Sequence, residues 1–377
     1  MSLDPRTPVV VGVGQSSERL GEAGYRRRSP VDLAADAARE AILDTGAGAG
    51  ANGPPGTVAA AIDTVAGIRQ FEISTPGARA PLGRSDNYPL SVAGRVGASP
   101  ARAVLEVTGG QGPQHLVNEF AAAIAAGRSD VVLLFGSEAI STIEHFAKAG
   151  KDDRPDFTEH AGGSVEDRGY GLKGLISAHL AAHGLTGAPS QYALIDNARR
   201  ARLKQTRAEY AAAMGALFAP FTRVAAANPH ASAPVERTAA ELVTPTEANR
   251  LIADPYTRYI VAREKVNQGA AVLLMSVAAA QRLGVPDDRW VFLHGHADLR
   301  ERPLMERADL SKSPAAVLAA RHALEMAGLK AGDLATIDLY SCFPAPVFNI
   351  CEGLRIDRKS TRLNSSHQGT SRMPSSA

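Results

Sequence analysis

The chain has 377 residues, of which 45% are hydrophobic and 21% charged, and its formal net charge is +2. This length suffices for two domains with a large core, and the composition is typical of a globular protein. The near-neutral charge gives no reason to expect nucleic acid or an anionic membrane as a partner. No apolar run reaches the roughly 20 residues of a membrane span, and no N-terminal secretory signal is recognisable. Two cysteines, Cys342 and Cys351, cannot build a disulfide framework, which favours a reducing cytoplasm.

The first predicted strand, residues 8–13, leads into a pair of glycines, Gly12-x-Gly14. A dinucleotide-binding fingerprint would place a third glycine at position 17, where a helix would open, but that residue is serine. We therefore interpret the glycines as a plain exit from the first strand. The alternative, a nucleotide-dependent oxidoreductase with a Rossmann-like first half, rests on these two glycines alone.

Local signals define the elements that follow. Ser29 and Pro30 are typical of a helix N-cap and first turn, so a helix is predicted from Pro30 to Thr45. A flexible loop is predicted over residues 46–56. The next predicted elements are a strand over residues 62–68, a loop over residues 71–88 and a short helix over residues 89–96.

The central stretch, residues 104–138, has the pattern strand, glycine turn, helix, strand. Residues 104–107 are a short apolar run, and Gly109 and Gly110 permit a sharp turn with positive φ. Pro113 suits the first turn of a helix to residue 126, whose apolar residues recur at helical spacing. The apolar run at residues 131–135 predicts a strand buried on both faces. The free N–H groups of the helix are thus aimed at the turn, where many α/β enzymes carry a nucleophile.

This stretch resembles the nucleophile turn of the thiolase superfamily, especially its sterol-carrier-type and thiolase-like branches. In that family the strand ends at an Asn-x-x-Cys-x-Ser/Thr-Gly turn, and the next strand follows Gly-Asp/Ser-Asp and ends in Gly-x-Glu. Here the matching segments are Gly-Arg-Ser-Asp at residues 127–130 and Gly-Ser-Glu at residues 136–138. Counting back without a gap puts Gly110 at the position of the nucleophilic cysteine, and a shift of one residue would put Gln111 there. Neither carries a thiol, so the nucleophile of the family's reaction is absent.

Residues 140–250 lose regular periodicity, and the resemblance implies that they form the loop domain, which carries much of the CoA-binding surface in thiolases. A short helix is predicted over residues 174–183, and a longer one over residues 190–218 with a break near Gly215. The longer helix carries a basic run, for which two interpretations stay open: a solvated helix face, or contacts to the phosphates of CoA. The candidate CoA-binding residues are Arg199, Arg200, Arg202 and Lys204, with Arg207 in the same run.

After this region the chain repeats its strand–helix–strand plan. Residues 228–231 resemble an Asn-Pro-x-Ala element of the family, and residues 266–274 resemble the Asp-Gly-Ala-Ala strand that closes its first half, with Gln268 at the usual Asp. A strand over residues 289–293, a helix over residues 313–327 and a strand over residues 334–340 are predicted next. The core side of that helix is expected to consist of Leu318, Ala319, His322 and Met326.

The resemblance implies an α/β thiolase-like fold, a five-layer α-β-α-β-α assembly of two similar halves, with the second half truncated. We expect an N-terminal half over residues 1–277, including the loop domain over residues 140–250, and the start of the C-terminal half over residues 285–356. Residues 357–367, DRKSTRLNSSH, match a translation of a common sequencing-library adapter, so residues 357–377 are predicted to be an artefactual disordered tail. The family's second cysteine and its Gly-His-Pro-x-Gly loop come after this point.

A second site element is predicted at residues 338–343, Asp-Leu-Tyr-Ser-Cys-Phe. The resemblance aligns it with the Asn-Glu-Ala-Phe or His-Asp-Cys-Phe turn of thiolases, whose first residue holds a water in an oxyanion hole. Tyr340 takes that first position, followed by Ser341 and Cys342. In the His-Asp-Cys-Phe branch the third position is not the nucleophile, so Cys342 is interpreted as a buried structural cysteine.

Together these features predict a thiolase-family acyltransferase homologue with acyl-CoA or CoA as its ligand, without intact thiolase chemistry in this chain. The alternative is a non-catalytic subunit that binds acyl-CoA or an acyl chain. No covalently bound cofactor and no metal site are expected, and the expected location is the cytoplasm. Thiolases pair the strand before the nucleophile turn across a two-fold axis. Residues 102–107 are therefore expected to be an open sheet edge that builds a homodimer or a dimer of dimers of the full-length parent. The chain as given is expected to leave the apolar faces of residues 313–327 and 334–340 uncovered and therefore to express poorly or aggregate.

Overall fold

The computed structural model of the protein describes residues 3–47, 56–150, 153–171, 176–357 and 363–365, with only the backbone for residues 56 and 363–365. The helices are α1 (Pro30–Asp44), α2 (Gly56–Ala61), α3 (Tyr88–Val96), α4 (Gly112–Ala125), α5 (Ile140–Ala147), α6 (Ala178–Ala182), α7 (Ala188–Arg202), α8 (Arg207–Ala227), α9 (Ala239–Val243), α10 (Val277–Arg282), α11 (Pro314–Ala327) and α12 (Pro344–Leu354). The strands are β1 (Pro8–Ser17), β2 (Thr64–Ile68), β3 (Arg102–Glu106), β4 (Val131–Ala139), β5 (Glu166–Asp167), β6 (Leu251–Ala253), β7 (Tyr256–Thr257), β8 (Asn267–Ser276), β9 (Val291–Phe292), β10 (Ile337–Leu339) and β11 (Leu363–Ser365). Among the described helices, none combines the length and the apolar character needed to cross a membrane.

The chain divides into two compact units. The first comprises residues 1–172 and 264–293, and the second comprises residues 173–263 and 294–377. Residues 173–250 of the predicted loop domain are thus grouped with the later part of the chain and not with the rest of the predicted N-terminal half.

A seven-stranded mixed sheet forms the centre of the first unit, in the order β5-β3-β2-β4-β8-β1-β9. β5, β3, β2 and β4 run parallel, and β8 pairs antiparallel with both β4 and β1. One face packs against α1 and α3, and the other packs against Leu116 and Phe120 of α4. The predicted burial of residues 131–135 on both faces is confirmed, and β4 continues beyond that run to Ala139.

Gly12 and Gly14 lie inside β1, which continues to Ser17 and so corrects the predicted strand end at residue 13. A Cβ at Gly12 would lie 2.0 Å from the carbonyl oxygen of Ala41, and a Cβ at Gly14 would lie 2.0 Å from that of Ala37. The glycines therefore let the backbone of α1 approach the sheet closely. They do not form a loop at a helix N-terminus, so the nucleotide-binding alternative has no site here.

Two helices, α7 and α8, replace the single helix predicted over residues 190–218. The break lies at residues 203–206, because Thr206 begins α8 with a capping box to Glu209 and Lys204 takes a φ of +54°. Gly215 lies inside α8, where a Cβ would be 2.4 Å from the carbonyl oxygen of Ala239. The glycine brings α8 and α9 together and does not end a helix, so the predicted break near it is wrong. The shorter predicted helix over residues 174–183 is observed only as α6, and residues 172–175 lie outside the described residues.

The predicted core side of α11 is not a core side. No residue of α11 is buried, and Leu318 and Met326 are 41% and 61% exposed. His322 is also exposed, and the contact to α12 is made by Val317, whose side chain lies against Gly353. Helical spacing identifies an apolar stripe but not what covers it. The stripe on α11 is uncovered among the described residues, which agrees with the expectation that this chain leaves that face open.

Residues 363–365 form β11, which pairs in parallel with β10 through Ile337 and Leu363. The prediction of a structureless tail is therefore wrong at these three residues. The rest of that tail, residues 358–362 and 366–377, lies outside the described residues, as do residues 48–55 of the predicted loop.

Candidate functional site

The predicted nucleophile turn connects β3 to α4 in the first unit. Gly110 is exposed and lies between the end of β3 at Glu106 and the start of α4 at Gly112, which confirms its predicted position. Gly109 has a φ of +148°, and its carbonyl oxygen accepts a hydrogen bond from the N–H of Gly112 at 3.1 Å. Gln111 is the N-cap residue of α4, but its side chain makes no capping hydrogen bond. The turn thus presents the N-terminus of a 14-residue helix and carries no thiol.

The carboxyl ends of β2, β3 and β4 meet at this turn. The side chain of Ile68, at the end of β2, lies 3.2 Å from the position of a Cβ on Gly112 and 3.6 Å from that of a Cβ on Gly136. Thr108 Oγ1 donates a hydrogen bond to the carbonyl oxygen of Gln70 at 3.5 Å. Ligands of open α/β sheets bind in the crevice outside the carboxyl ends of the strands. This edge is therefore the candidate functional site of the first unit.

Two glutamates with raised pKa values lie at the same edge. Burial raises the pKa of Glu138 to about 8. A hydrogen bond from the N–H of Phe71 at 2.8 Å lowers the pKa in part, and the charge of Glu72 raises it further. Burial raises the pKa of Glu72 to about 7, against the charge of Arg84. Two interacting carboxyl groups with these values take up and release protons near neutral pH. Glu138 ends the Gly-x-Glu motif, whereas no pattern in the sequence singles out Glu72.

A cavity of about 20 Å³ lies beside Glu72 and is also lined by Gln70, Arg84 and Tyr88. Within the described part of the chain, the side-chain oxygen of Gln70 is buried without a hydrogen-bond partner. A space of this size holds one water molecule. The cavity is therefore too small for an acyl-CoA.

One group of potential metal ligands occurs among the described residues: Glu106, His115 and Glu119, whose ligand atoms all lie within 4.8 Å of one another. Arg168 already compensates their charge, because its Nη1 lies 2.7 Å from Glu106 Oε2 and 2.6 Å from Glu119 Oε2. A guanidinium at that position repels a divalent cation. We therefore assign the group as an ion-pair cluster, which the sequence analysis did not find.

In the second unit, the basic run lies at the C-terminal end of α7. Arg199 is only 4% exposed, and its Nη2 lies 3.1 Å from Glu352 Oε2. Arg202 Nη1 lies 2.9 Å from Glu352 Oε1. Arg200 is half-buried, and Lys204 is exposed just beyond the helix end. Two of the four candidate CoA-binding residues thus hold α7 to α12, and Lys204 is the most accessible of the four.

Asp196 on α7 is the centre of a buried polar cluster. It accepts hydrogen bonds from the hydroxyl groups of Tyr210 and Tyr256, and from the N–H of Ala345 at 3.3 Å in the first turn of α12. Burial raises the pKa of Asp196 to about 6, although these hydrogen bonds and the charge of Arg199 each lower it in part. The cluster joins four segments of the second unit, and no local pattern in the sequence marks it.

The second motif, with Tyr340, Ser341 and Cys342, lies between β10 and α12. Burial raises the pKa of the Cys342 thiol, against a hydrogen bond with Tyr340. Burial also raises the pKa of Tyr340, which interacts with Cys342 and Tyr192 as hydrogen-bond partners. Tyr192 in turn stacks on Phe343, with ring centroids 4.3 Å apart. Cys342 is thus a protonated thiol at neutral pH and a weak nucleophile. Gly110 belongs to the first unit and Tyr340 to the second.

A sheet of this topology, with a strand–turn–helix at the carboxyl edge of its parallel strands, defines a thiolase-fold protein, and the predicted fold class is confirmed. No protein-family model and no curated protein matches the chain. Among solved structures, a monomeric SCP2-thiolase like protein type 1 from Mycobacterium smegmatis is 47% identical, with 98% of this chain and 68% of that chain covered and a TM-score of 0.78. The chain therefore belongs to the SCP2-thiolase-like proteins of the thiolase superfamily.

More distant structures share the fold alone. The Ltp2-ChsH2(DUF35) aldolase is 19% identical, with 97% of this chain and 85% of that chain covered and a TM-score of 0.67. Human mitochondrial 3-ketoacyl-CoA thiolase is 17% identical, with 97% of this chain and 86% of that chain covered and a TM-score of 0.58.

Proposed function

We propose that this chain binds acyl-CoA without forming a covalent acyl-enzyme at the turn before α4. One observation carries the proposal: the turn at Gly110, where the family places its nucleophilic cysteine, has no thiol. The full sequence contains two cysteines, Cys342 and Cys351, and neither lies near this turn in the chain. Cys351 is 1% exposed, and burial raises the pKa of the Cys342 thiol. An acyl-enzyme needs a thiolate or an equally activated nucleophile.

Family membership supports acyl-CoA as the ligand, and the N-terminus of α4 supports this edge as the binding place. Its first N–H groups have no partners inside the helix, and the helix dipole favours negative charge there. These groups would bind the thioester oxygen or another electron-rich part of the ligand. Binding of this kind needs no covalent step.

A second candidate function is direct transfer of the acyl group from CoA to a bound acceptor. Glu72 and Glu138 favour it, because at neutral pH a carboxyl group with a pKa of about 7 is partly ionised and can accept a proton, and one with a pKa of about 8 is mostly protonated and can donate one. In this reaction the acceptor attacks the thioester carbonyl and a glutamate carboxylate takes the acceptor's proton. The C–S bond then breaks, and a protonated glutamate donates a proton to the sulfur, so that CoA leaves as the thiol. Acyltransferase activity, as in the family, is thus the second candidate function of this chain.

Intact-protein mass spectrometry after incubation with acetyl-CoA, together with calorimetry of CoA binding, tests the proposal. We expect reversible binding and no mass increase of one acetyl group. A Gly110→Cys variant is the matched control. Its thiol should react with a thiol reagent at least about ten times faster than Cys342, because it lies exposed at a helix N-terminus. A stoichiometric acetyl adduct on the unmodified protein would contradict the proposal, whereas release of free CoA that Glu138→Gln abolishes would favour direct transfer.

The contribution of the basic run to CoA binding is a separate prediction. We expect Lys204→Ala to weaken CoA binding about threefold to tenfold, since an exposed cation is available to a phosphate, and to leave the free energy of unfolding unchanged. Arg199→Ala should instead lower the free energy of unfolding by roughly 2 kcal/mol, since it removes the buried guanidinium that joins α7 to Glu352 on α12. Calorimetry and urea unfolding measure the two effects. If Lys204→Ala and the unmodified protein bind CoA with equal affinity, the basic run is not part of the CoA site.

The pairing of β3 bears on how the chain assembles. The predicted homodimer requires β3 as an open edge, but β5 pairs with β3 at Val104 and Leu105. The expectation of an open edge is therefore wrong, and we propose a monomer in solution. The Mycobacterium smegmatis relative is likewise described as monomeric. The cytoplasmic location stays a prediction from the cysteine content.

A further inference from the structure

The short helix α6 presents two histidines to solvent. His179 lies in α6, and His183, four positions later, is its C-cap residue. Both residues are exposed, and their ring centroids lie 4.6 Å apart, with an angle of 63° between the ring planes. Side chains at this spacing are neighbours on one face of a helix. The structure therefore holds two imidazoles side by side at the surface of the second unit.

Both ends of α6 are capped, which fixes the backbone that carries the two histidines. At the N-terminal end, the Ser177 hydroxyl accepts a hydrogen bond from the N–H of Leu180 at 3.1 Å. At the C-terminal end, Gly184 has a φ of +69°, and its N–H donates to the carbonyl oxygen of Ala181 at 3.1 Å. The N–H of Leu185 donates to the carbonyl oxygen of Leu180 at 2.9 Å, which completes a Schellman motif. A helix of five residues is not stable by itself, so these caps define where both histidines lie.

Leu180 anchors α6 to the rest of the second unit. It is 3% exposed and belongs to an apolar cluster with Ile195 of α7, Leu304 and Ala345 of α12. Leu185, which completes the C-terminal cap, packs against the same cluster. The backbone of both histidines is thus already ordered, so a ligand that binds them does not have to order it.

The distance between the two rings matches the chelation of a single ion. Two imidazole nitrogens bound to one ion at about 2.0–2.1 Å place their ring centroids roughly 4.5–5.2 Å apart. The observed separation of 4.6 Å lies in this range. Rotation about χ2 of a histidine turns its nitrogens while the ring centroid stays nearly in place, and this torsion is only broadly restricted. Binding of a shared ion therefore needs no movement of α6.

From this geometry we infer that His179 and His183 form a binding site for one divalent transition-metal ion. Imidazole nitrogen suits Zn²⁺, Ni²⁺ and Cu²⁺, of which Cu²⁺ binds most tightly, whereas Mg²⁺ prefers oxygen ligands. The two histidines supply two ligands, and water supplies the others. The site uses none of the residues of the ion-pair cluster at Glu106, and the sequence analysis did not expect it. The inference does not depend on acyl-CoA binding.

A bound ion should stabilise the C-terminal turn of α6. It joins His179 to His183, so opening of the turn requires release of the ion, and binding to the closed form alone favours that form. The N–H groups of residues 183–185 all donate to carbonyl oxygens of α6. Their amide hydrogens should therefore exchange more slowly in Zn²⁺ than in Mg²⁺ at the same concentration.

Calorimetry of Cu²⁺ binding to the full chain tests the site. His179→Ala and His183→Ala should each weaken binding at least about tenfold, because loss of a residue that only supports a metal ligand already costs about 10- to 100-fold. The electron paramagnetic resonance spectrum of the first equivalent of Cu²⁺ should show two nitrogen ligands in the unmodified protein and fewer in both variants. His322→Ala, which removes an exposed histidine of α11, is the matched control and should leave the affinity unchanged.

A change of spacing separates chelation from the mere presence of two histidines. Ala181→His combined with His183→Ala keeps their number but places them two positions apart, where helical side chains do not face each other. Ala181 is exposed, so the larger side chain has room. This variant should bind Cu²⁺ as weakly as His183→Ala alone. Affinity equal to that of the unmodified protein, a loss below tenfold in either single variant, or unchanged exchange of residues 183–185 in Zn²⁺ would overturn the inference.

Discussion

Replacing Asp196 by alanine should lower the free energy of unfolding by roughly 2–4 kcal/mol at pH 5. This pH is below the pKa of the Asp196 carboxyl group, which is about 6. The substitution leaves the buried hydroxyl groups of Tyr210 and Tyr256 and the N–H of Ala345 without their acceptor. Each buried donor that loses its partner costs about 1–3 kcal/mol. Urea unfolding followed by circular dichroism measures the effect.

The control for this prediction is an exposed carboxylate of the same unit. Asp254 lies 3.1 Å from Arg207, with side chains 49% and 74% exposed. Asp254→Ala should therefore change the free energy of unfolding by less than about 1 kcal/mol. If Asp254→Ala and Asp196→Ala lower the free energy of unfolding by the same amount, the polar cluster does not stabilise the second unit as we infer.

The Asp196 carboxyl group also makes the free energy of unfolding depend on pH in a defined direction. Its folded-state pKa is about 6, above the value of about 3.9 for an unfolded aspartate, so the folded state binds the proton more tightly. The contribution of Asp196 is fully present below about pH 4 and is lost as the pH rises to about 6. Asp196→Asn lacks this titration. The stability difference between the unmodified protein and Asp196→Asn should therefore shrink between pH 4 and pH 7, and a constant difference would contradict the raised pKa.

Gly12→Ala is expected to cost about 3 kcal/mol, at the upper end of the usual range for overpacked cores. The new Cβ would lie 2.0 Å from the carbonyl oxygen of Ala41 and 3.1 Å from its carbonyl carbon. Both are backbone atoms, so no side-chain rotation relieves the overlap and α1 must move away from β1. That movement opens the core between α1 and the sheet. Thermal and urea unfolding measure the loss.

Gly24 provides the matched control for Gly12. A Cβ at Gly24 would meet no atom within 4 Å, and its φ is outside the left-handed region. Gly24→Ala should change the free energy of unfolding by less than about 0.5 kcal/mol, or stabilise slightly by restricting the unfolded chain. Similar losses for the two variants would show that close packing of α1 on β1 is not the reason for glycine at position 12.

The parts of the fold that the sequence predicts correctly are those with local signals. The Ser29 hydroxyl oxygen accepts a hydrogen bond from the N–H of Asp32, and the Asp32 carboxylate accepts one from the N–H of Ser29, so the start of α1 is fixed within four residues. The turn at Gly110 is likewise fixed by a strand run, two glycines and Pro113. Such patterns are readable because the interacting groups are neighbours in the chain.

The features that the sequence does not predict depend on distant partners. Arg168 meets Glu119 and Glu106 across 49 and 62 residues, and Asp196 meets Ala345 across 149 residues. The raised pKa of Glu72 comes from burial, which only the fold decides. For α11, the sequence predicts which residues form an apolar face but not whether another element packs against that face. In each case the missing information is which surfaces the chain brings together.

The Asp196 cluster makes one cooperative unit out of segments that look independent. Asp196 fixes the first turn of α12, while Tyr192, one helical turn earlier on α7, stacks on Phe343 just before that turn. The second motif is therefore held at two points by α7. Local opening of such a unit breaks its contacts together, so we expect the amide hydrogens of α7 and of residues 340–343 and 345 to exchange at similar rates. A ligand that binds Tyr340, the hydrogen-bond partner of Tyr192, would therefore be expected to slow exchange along α7 as well.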